Sequence, residues 1–231
     1  QFYSLPLDIQ GLAFDIDKTL YENERYARAQ IERLIERLAR ERSEGISETR
    51  RAILRWQEEY AQANDGARQS LGNTFAALGV PIETSVAWRE ELIHPEHFLT
   101  TDEYLASAIE NLAANYRIVA VTNNPVRVGR ATLEVLGVSS FFPHVVGLDT
   151  TLRSKPDPAA FRHAAEVLEC DPSQVVAVGD RYEVDIVPAL SLGMGGVLVD
   201  GVRDVYSLPR ALAEERRLAN RRADEPNGAG E

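Results

Sequence analysis

The sequence predicts an α/β fold: a parallel sheet covered by helices on both faces, with a small all-helical block set into it. Three observations carry that prediction. Short apolar runs of strand length, Leu12–Ile16, Ile118–Val121 and Val175–Val178, read as buried strands, and the first stops at carboxylates. After Phe98 these runs alternate with amphipathic segments, and strand–helix alternation marks a doubly wound, Rossmann-like sheet. Between the first run and the second, residues 23–98 hold helical periodicity and no strand candidate. The expected organisation is a discontinuous α/β core, 1–22 and 99–231, with a helical cap domain at 23–98.

Each element has its own local signal. Leu12–Ile16 is the first buried strand. From Asn23 the residues Ile31, Leu34, Ile35 and Leu38 recur three and four apart with Glu and Arg between them, which is one helix face. Ile46-Ser47 reads as the staple and N-cap of a second helix carrying Ile53, Trp56 and Tyr60. Leu71, Phe75 and Leu78 form a third face closed by Gly79 and Pro81; Val86, Arg89 and Ile93 form a fourth. Past the cap, Thr100–Glu103 reads as a capping box ahead of Leu105, Ile109 and Leu112. Asn124-Pro125 caps the helix after the second strand, and Gly137 ends it. Val145-Val146 is a weak strand, and Asp157-Pro158 caps a helix running to about Glu169. A helix from about Val184 ends at Gly193, and Gly196–Val199 is the final strand. No element is assigned after it until residues 223–231, whose polar, Gly-containing composition predicts a frayed tail.

Composition narrows the function classes. The chain has 231 residues, 44% hydrophobic and 26% charged, which excludes disorder throughout. Its one cysteine, Cys170, excludes a disulfide scaffold, suits a reducing compartment and reads as a small core filler. No apolar run approaches the roughly 20 residues that cross a bilayer. The stretch Gln1–Gly11 lacks the basic-then-apolar order of a signal peptide, so the expected location is the cytoplasm. Gln1 is not an initiating residue, and the expectation is that a few residues precede it. A net charge of −11 disfavours nucleic acid and anionic membrane as partners, since both reward clustered cations. A small anionic substrate stays compatible with that charge if cations gather locally. Lysine occurs only twice, at Lys18 and Lys155, and both lie within motifs.

Four motifs carry chemistry. Asp15-Ile16-Asp17-Lys18-Thr19 follows the first strand and aims two carboxylates at one crevice. Thr122-Asn123-Asn124 ends the second strand just before a helix, where a hydroxyl beside backbone amides makes a phosphate cradle. Lys155 lies in the loop before Asp157-Pro158. Gly179-Asp180 ends the third strand, and Asp185 follows a turn later. Taken singly, each motif also reads as an ordinary cap, turn or surface charge. Together they do not, because the carboxyl ends of parallel strands share one edge. That edge gathers four acidic residues, one hydroxyl and one lysine, an arrangement costly without a hard cation. Magnesium suits it, taking carboxylate and phosphate oxygens together.

With these residues the sequence resembles the haloacid dehalogenase superfamily, whose four signatures (D-x-D-x-T, a Thr or Ser after the second strand, a loop Lys, and G-D with a second Asp) occur in order from Asp15 to Asp185. The helical insert is similar to the cap of its phosphatase-rich subfamily. The resemblance implies a magnesium-dependent phosphatase acting on a small phosphorylated metabolite. Asp15 would be the nucleophile that becomes an aspartyl-phosphate, and Asp17 the general acid and then the base. Thr122, with Asn123, would hold the transferring phosphoryl group, and Lys155 would neutralise the charge shared by Asp15 and phosphate. Magnesium would be bound by the Asp15 side chain, the Asp17 backbone carbonyl and Asp180, with Asp185 orienting the set. Dehalogenation is disfavoured because relatives that perform it lack the second aspartate. A phosphomutase using the same residues is the nearer alternative, and a catalytically idle binding protein the more distant one. Lys18 stands where many relatives carry Gly or Asn; it either adds cationic field or points to solvent. Tyr21, Arg25 and Tyr26 are expected contributors to specificity, with phosphoglycolate, nucleoside monophosphates and sugar phosphates all open as substrates.

Overall fold

The computed structural model describes residues 1–64, 66 and 69–224. Six strands form one sheet in the order β1-β6-β5-β2-β3-β4: β1 (Phe2–Tyr3), β2 (Gly11–Phe14), β3 (Arg117–Val121), β4 (His144–Val146), β5 (Val175–Gly179) and β6 (Gly195–Leu198). All neighbours run parallel except β1, a two-residue edge strand antiparallel to β6. The central strand β2 is buried along its whole length, because helices cover both faces. Even-numbered residues Leu12 and Phe14 join one core with Ile118, Val176 and the helices α5 (Glu103–Ala113), α6 (Val126–Leu136) and α10 (Val202–Asp224). Odd-numbered Ala13 joins the other, with Val119, Ala177 and the helices α8 (Ala159–Leu168) and α9 (Val187–Leu190). The two-residue period of a strand thus divides one apolar run between two cores.

The stretch after β2 is helical: α1 (Glu24–Arg42), α2 (Ile46–Ala63), α3 (Leu71–Ala77) and α4 (Ile82–Leu92). Its stripe residues Leu34, Ile35, Leu38, Ile53 and Phe75 form a separate buried cluster with Trp88, which takes the place expected of Val86 and Ile93 in the fourth helix, since Ile93 joins the main core. Asn23 caps α1, accepting the Tyr26 N–H at 2.9 Å.

Several local expectations are corrected by tertiary partners. Ser47 does not cap α2; Gly45 holds that position without a side-chain bond, and Ile46 is exposed. At α5 the capping oxygen belongs to Asp102, which accepts the Leu105 N–H, rather than to Thr100. Asn124 does not cap α6: Asp149, from the short helix α7 (Leu148–Thr151), accepts the Val126 N–H at 2.8 Å. The segment after Arg181 is a π turn (Tyr182–Ile186) leading into α9, not one helix to Gly193. The strand expected at Gly196–Val199 starts and ends one residue earlier. No element is expected where the long helix α10 lies, and it buries Val205, Leu208 and Leu212 with Pro209 inside it. Ala223 and Asp224 belong to this helix rather than to a frayed tail; the rest of the expected tail, 225–231, lies outside the described residues.

Candidate active site

Register brings the motifs together. Phe14 pairs with Ala120 on one side and with Val178 on the other, so the next residues along each strand leave the sheet at one level. Asp15 continues the ladder by donating its N–H to Val178 O at 2.8 Å, and Thr122 does likewise to Val146 O at 2.9 Å. By the same alternation Asp15 faces the side of the sheet where α8 packs, and there it meets Lys155.

Lys155 is completely buried, and its ammonium spends all three protons: on Asp15 Oδ1 at 2.6 Å, Asp185 Oδ1 at 2.7 Å and Val121 O at 2.9 Å. Burial works against its charge, yet Asp15 and Asp185 outweigh that and hold its pKa above the usual lysine value. The other Asp15 oxygen accepts the Thr19 hydroxyl at 3.1 Å. Asp185 turns its second oxygen to the Arg181 N–H at 3.1 Å, and burial pushes its pKa up against the pull of Lys155. This approach needs Gly179, where a Cβ would lie 2.4 Å from the Asp185 Cβ.

Asp15, Asp180 and Asp185 each offer an oxygen within 4.8 Å of the others. Asp180 Oδ1 is buried and accepts no hydrogen bond among the described residues; the Arg181 Nε lies 3.5 Å away. Burial, then the negative charge of Asp15, pushes the Asp180 pKa up to about 6. An orphaned carboxylate oxygen beside two further carboxylates fits a hard cation that takes oxygen ligands.

Asp17 is held on all sides. Its Oδ1 accepts Tyr21 Oη–H at 2.5 Å and Gln30 Nε2–H at 2.9 Å; its Oδ2 accepts Asn124 Nδ2–H at 3.0 Å and the Thr122 hydroxyl at 3.4 Å. Gln30 comes from α1, so a cap helix touches the second aspartate directly. Burial, then Asp17, raises the Tyr21 pKa well above its ordinary value. Asn123 lines the same cavity as Asp17, and its side chain binds the Lys155 backbone: Oδ1 accepts the Lys155 N–H at 2.7 Å, and Nδ2 donates to the Lys155 carbonyl at 3.2 Å. It clamps the lysine's backbone, and its side-chain bonds do not reach the Asp15–Asp17 crevice.

A cavity of about 650 Å³ opens over Asp17 and Asp180 and runs between the sheet edge and the helical block. Its cap side presents Ile31, Leu34 and Ile53 together with Gln30 and Arg89. Arg25 is exposed and Tyr26 is buried against Tyr21 and Phe98; neither lines the cavity, against the expectation for specificity. Lys18 is exposed, and its ammonium donates to Glu24 at 2.9 Å. Its φ of 65° is left-handed, which explains why Gly or Asn suits this position. Cys170 is partly buried in the core beside Gly11, at the far end of β2 from Asp15. Sequence reasoning missed Gln30, Asn124 and Arg89 as site residues. Asn124 reads as a cap, while Arg89 carries a signal, a charged residue within an apolar helix stripe.

Fold and site together define an α/β protein whose chemistry centres on aspartates at the carboxyl edge of its sheet. A family model described as haloacid dehalogenase-like hydrolase matches residues 9–193, and the chain belongs to that family. It is 40% identical over 82 residues to a phosphoglycolate phosphatase of Psychrobacter arcticus, covering 36% of this chain. The chain spans only about a third (35%) of that relative's length. Against the 5-amino-6-(5-phospho-D-ribitylamino)uracil phosphatase YigB of Escherichia coli K12 it is 26% identical over 84% of each chain. The crystal structure of a HAD phosphatase from Thermococcus onnurineus shares the fold, with a TM-score of 0.63, 23% identity, and coverage of 90% of this chain and all of that one. Among the described residues no helix is long and apolar enough to cross a membrane.

Proposed function

We propose that this chain is a magnesium-dependent phosphatase that hydrolyses a small phosphomonoester through an aspartyl-phosphate on Asp15. One observation carries the reading: a buried aspartate gripped by a buried lysine beside an orphaned Asp180 oxygen, where Asp180 and Asp17 both line one cavity. The two relatives named above are phosphatases of different small phosphorylated molecules, which supports the reaction type more than any one substrate.

In this reading the Asp15 carboxylate attacks phosphorus and the ester P–O bond breaks. Asp17 gives its proton to the departing alcohol oxygen, then takes one from the water that attacks the aspartyl-phosphate, releasing phosphate and restoring Asp15. Lys155 fixes the orientation of Asp15 and offsets its charge. Thr122 is placed to hold a phosphoryl oxygen, with the Asn123 backbone beside it, while the Asn123 side chain positions Lys155. Asp15 and Asp180, with the Asp17 carbonyl, would hold magnesium and Asp185 would orient that set; the ion would draw off charge from the phosphoryl oxygens. The helical block 23–98 serves as a cap over the core, closing on Asp17 through Gln30.

The test is a phosphate-release screen over small phosphomonoesters with magnesium, run on wild-type protein and Asp15→Asn. Release by wild type and its loss in a folded Asp15→Asn variant are expected. Turnover by Asp15→Asn near the wild-type rate removes Asp15 as nucleophile. Oxygen-18 from water should enter the released phosphate; phosphate passing to a sugar hydroxyl instead replaces the hydrolase with a mutase.

A further inference from the structure

Arg89 sits in α4 of the cap with only 7% of its surface exposed, and it lines the cavity over Asp17. A guanidinium buried to this degree normally faces a carboxylate. Among the described residues this one forms no ion pair, and its single hydrogen bond runs from Nη1 to Asn124 Oδ1 at 3.3 Å. Among those same residues Nε is buried without a partner, and Nη2 makes no hydrogen bond. Nε and Nη2 form one edge of the guanidinium, the fork that matches the two oxygens of a carboxylate.

Its position limits what can satisfy it. Asn124 links Arg89 to Asp17: the same amide receives the arginine at 3.3 Å and donates to Asp17 Oδ2 at 3.0 Å. Arg89 and Asp17 line the same cavity, so an acceptor bound at the arginine shares that cavity with the ester oxygen that Asp17 would protonate. A general attraction for phosphate does not require a planar fork set to one side of the reacting centre.

We propose that Arg89 is the specificity-determining residue of this site, and that it selects phosphomonoesters whose alcohol portion bears a carboxylate close to the ester oxygen. The inference rests on the phosphatase reading of the same cavity. The cap then takes part in recognition, because the core binds what is common to all substrates and Arg89 binds what distinguishes one.

The experiment compares esters that differ only by carboxylate against methyl: phosphoglycolate with ethyl phosphate, and phospholactate with isopropyl phosphate. With magnesium, the full chain should prefer the carboxylated member by roughly 10- to 100-fold in kcat/KM, the worth of a charged paired contact. Arg89→Gln should bring the ratio near parity, chiefly through KM. Arg89→Lys, which keeps the charge but loses the fork, should retain part of the preference. The ratio within each variant is insensitive to partial loss of folded protein. A wild-type ratio near one, or a preference that survives in Arg89→Gln, overturns the proposal. Calorimetric binding of phosphonoacetate against ethylphosphonate adds a readout independent of turnover. If no ester is hydrolysed yet phosphonoacetate binds preferentially and Arg89→Gln abolishes that preference, the carboxylate site stands and the phosphatase reading falls. If esters are hydrolysed without discrimination, the phosphatase reading stands and this inference falls. If neither hydrolysis nor binding occurs, both fall.

Discussion

Replacing Lys155 by methionine should destabilise the protein strongly, and in a pH-dependent way. The ammonium is fully buried and hydrogen-bonded to two carboxylates that are themselves almost fully buried, Asp15 at 3% and Asp185 at 1% exposure. Methionine nearly matches the volume of lysine, so the loss is mainly electrostatic and includes the ammonium's place 5.9 Å from the Phe161 ring centroid. Removing one partner of a buried ion pair costs about 3–5 kcal/mol, because the other charge stays buried and unpaired. At about 2–4 °C per kcal/mol for a chain of this size, the midpoint at pH 7 should fall by about 6–20 °C. The sign with pH follows from the orphaned carboxylates. Burial already raises the Asp185 pKa and Lys155 is what pulls it down, so without the lysine the deficit should shrink as pH falls toward 4 and a proton replaces the ammonium. In the wild type the raised Lys155 pKa contributes stability below about pH 10.4, lost as the lysine deprotonates in alkali. Thermal melts of both proteins from pH 4 to pH 8 in a chelator read this directly. A deficit below about 1 kcal/mol at pH 7, or one that stays constant toward pH 4, would refute the claim that Lys155 neutralises this pair.

Two further predictions use the same site. Asp180 has a folded pKa of about 6, raised by burial and by Asp15, so the native state binds its proton more tightly than the unfolded chain. Its contribution should therefore fall as pH rises from about 4 to about 6 and level off above; Asp180→Asn should flatten that part of the metal-free stability curve. Magnesium should raise the wild-type midpoint at pH 7 and do little at pH 4, where the proton competes, and equal shifts at both would count against Asp180 as a ligand. Asn123→Ala strips both hydrogen bonds from the Lys155 backbone and should cost about 1–2 kcal/mol in urea unfolding. It should also lower kcat more than it changes KM; a change confined to KM would mean that Asn123 contacts substrate after all.

The sequence by itself determined the sheet–helix alternation, the helical insert and the four motif positions. These signals lie between near neighbours: an apolar run of strand length, a stripe at helical spacing, an Asp or Gly where a strand stops. Parallel pairing then carried Asp15, Thr122 and Asp180 to one edge, since the carboxyl ends of parallel strands can lie nowhere else. Signals weakened where one residue had two uses. Local pattern assigns no element to the stretch after the last strand, yet α10 runs through it, Pro209 included, because Val205, Leu208 and Leu212 bury in the main core. Asn124 reads as a cap, but Asp149 supplies the α6 cap from across the loop and leaves the Asn124 amide for Asp17. Only the tertiary structure decided which groups face the cavity. Gln30, Arg89 and Asn124 lie far apart along the chain and meet through hydrogen bonds of 3.0 and 3.3 Å, and no periodicity encodes so distant an encounter. The alternation of strands and helices along the chain is written in local patterns, whereas recognition depends on where separately folded helices come to rest against the sheet.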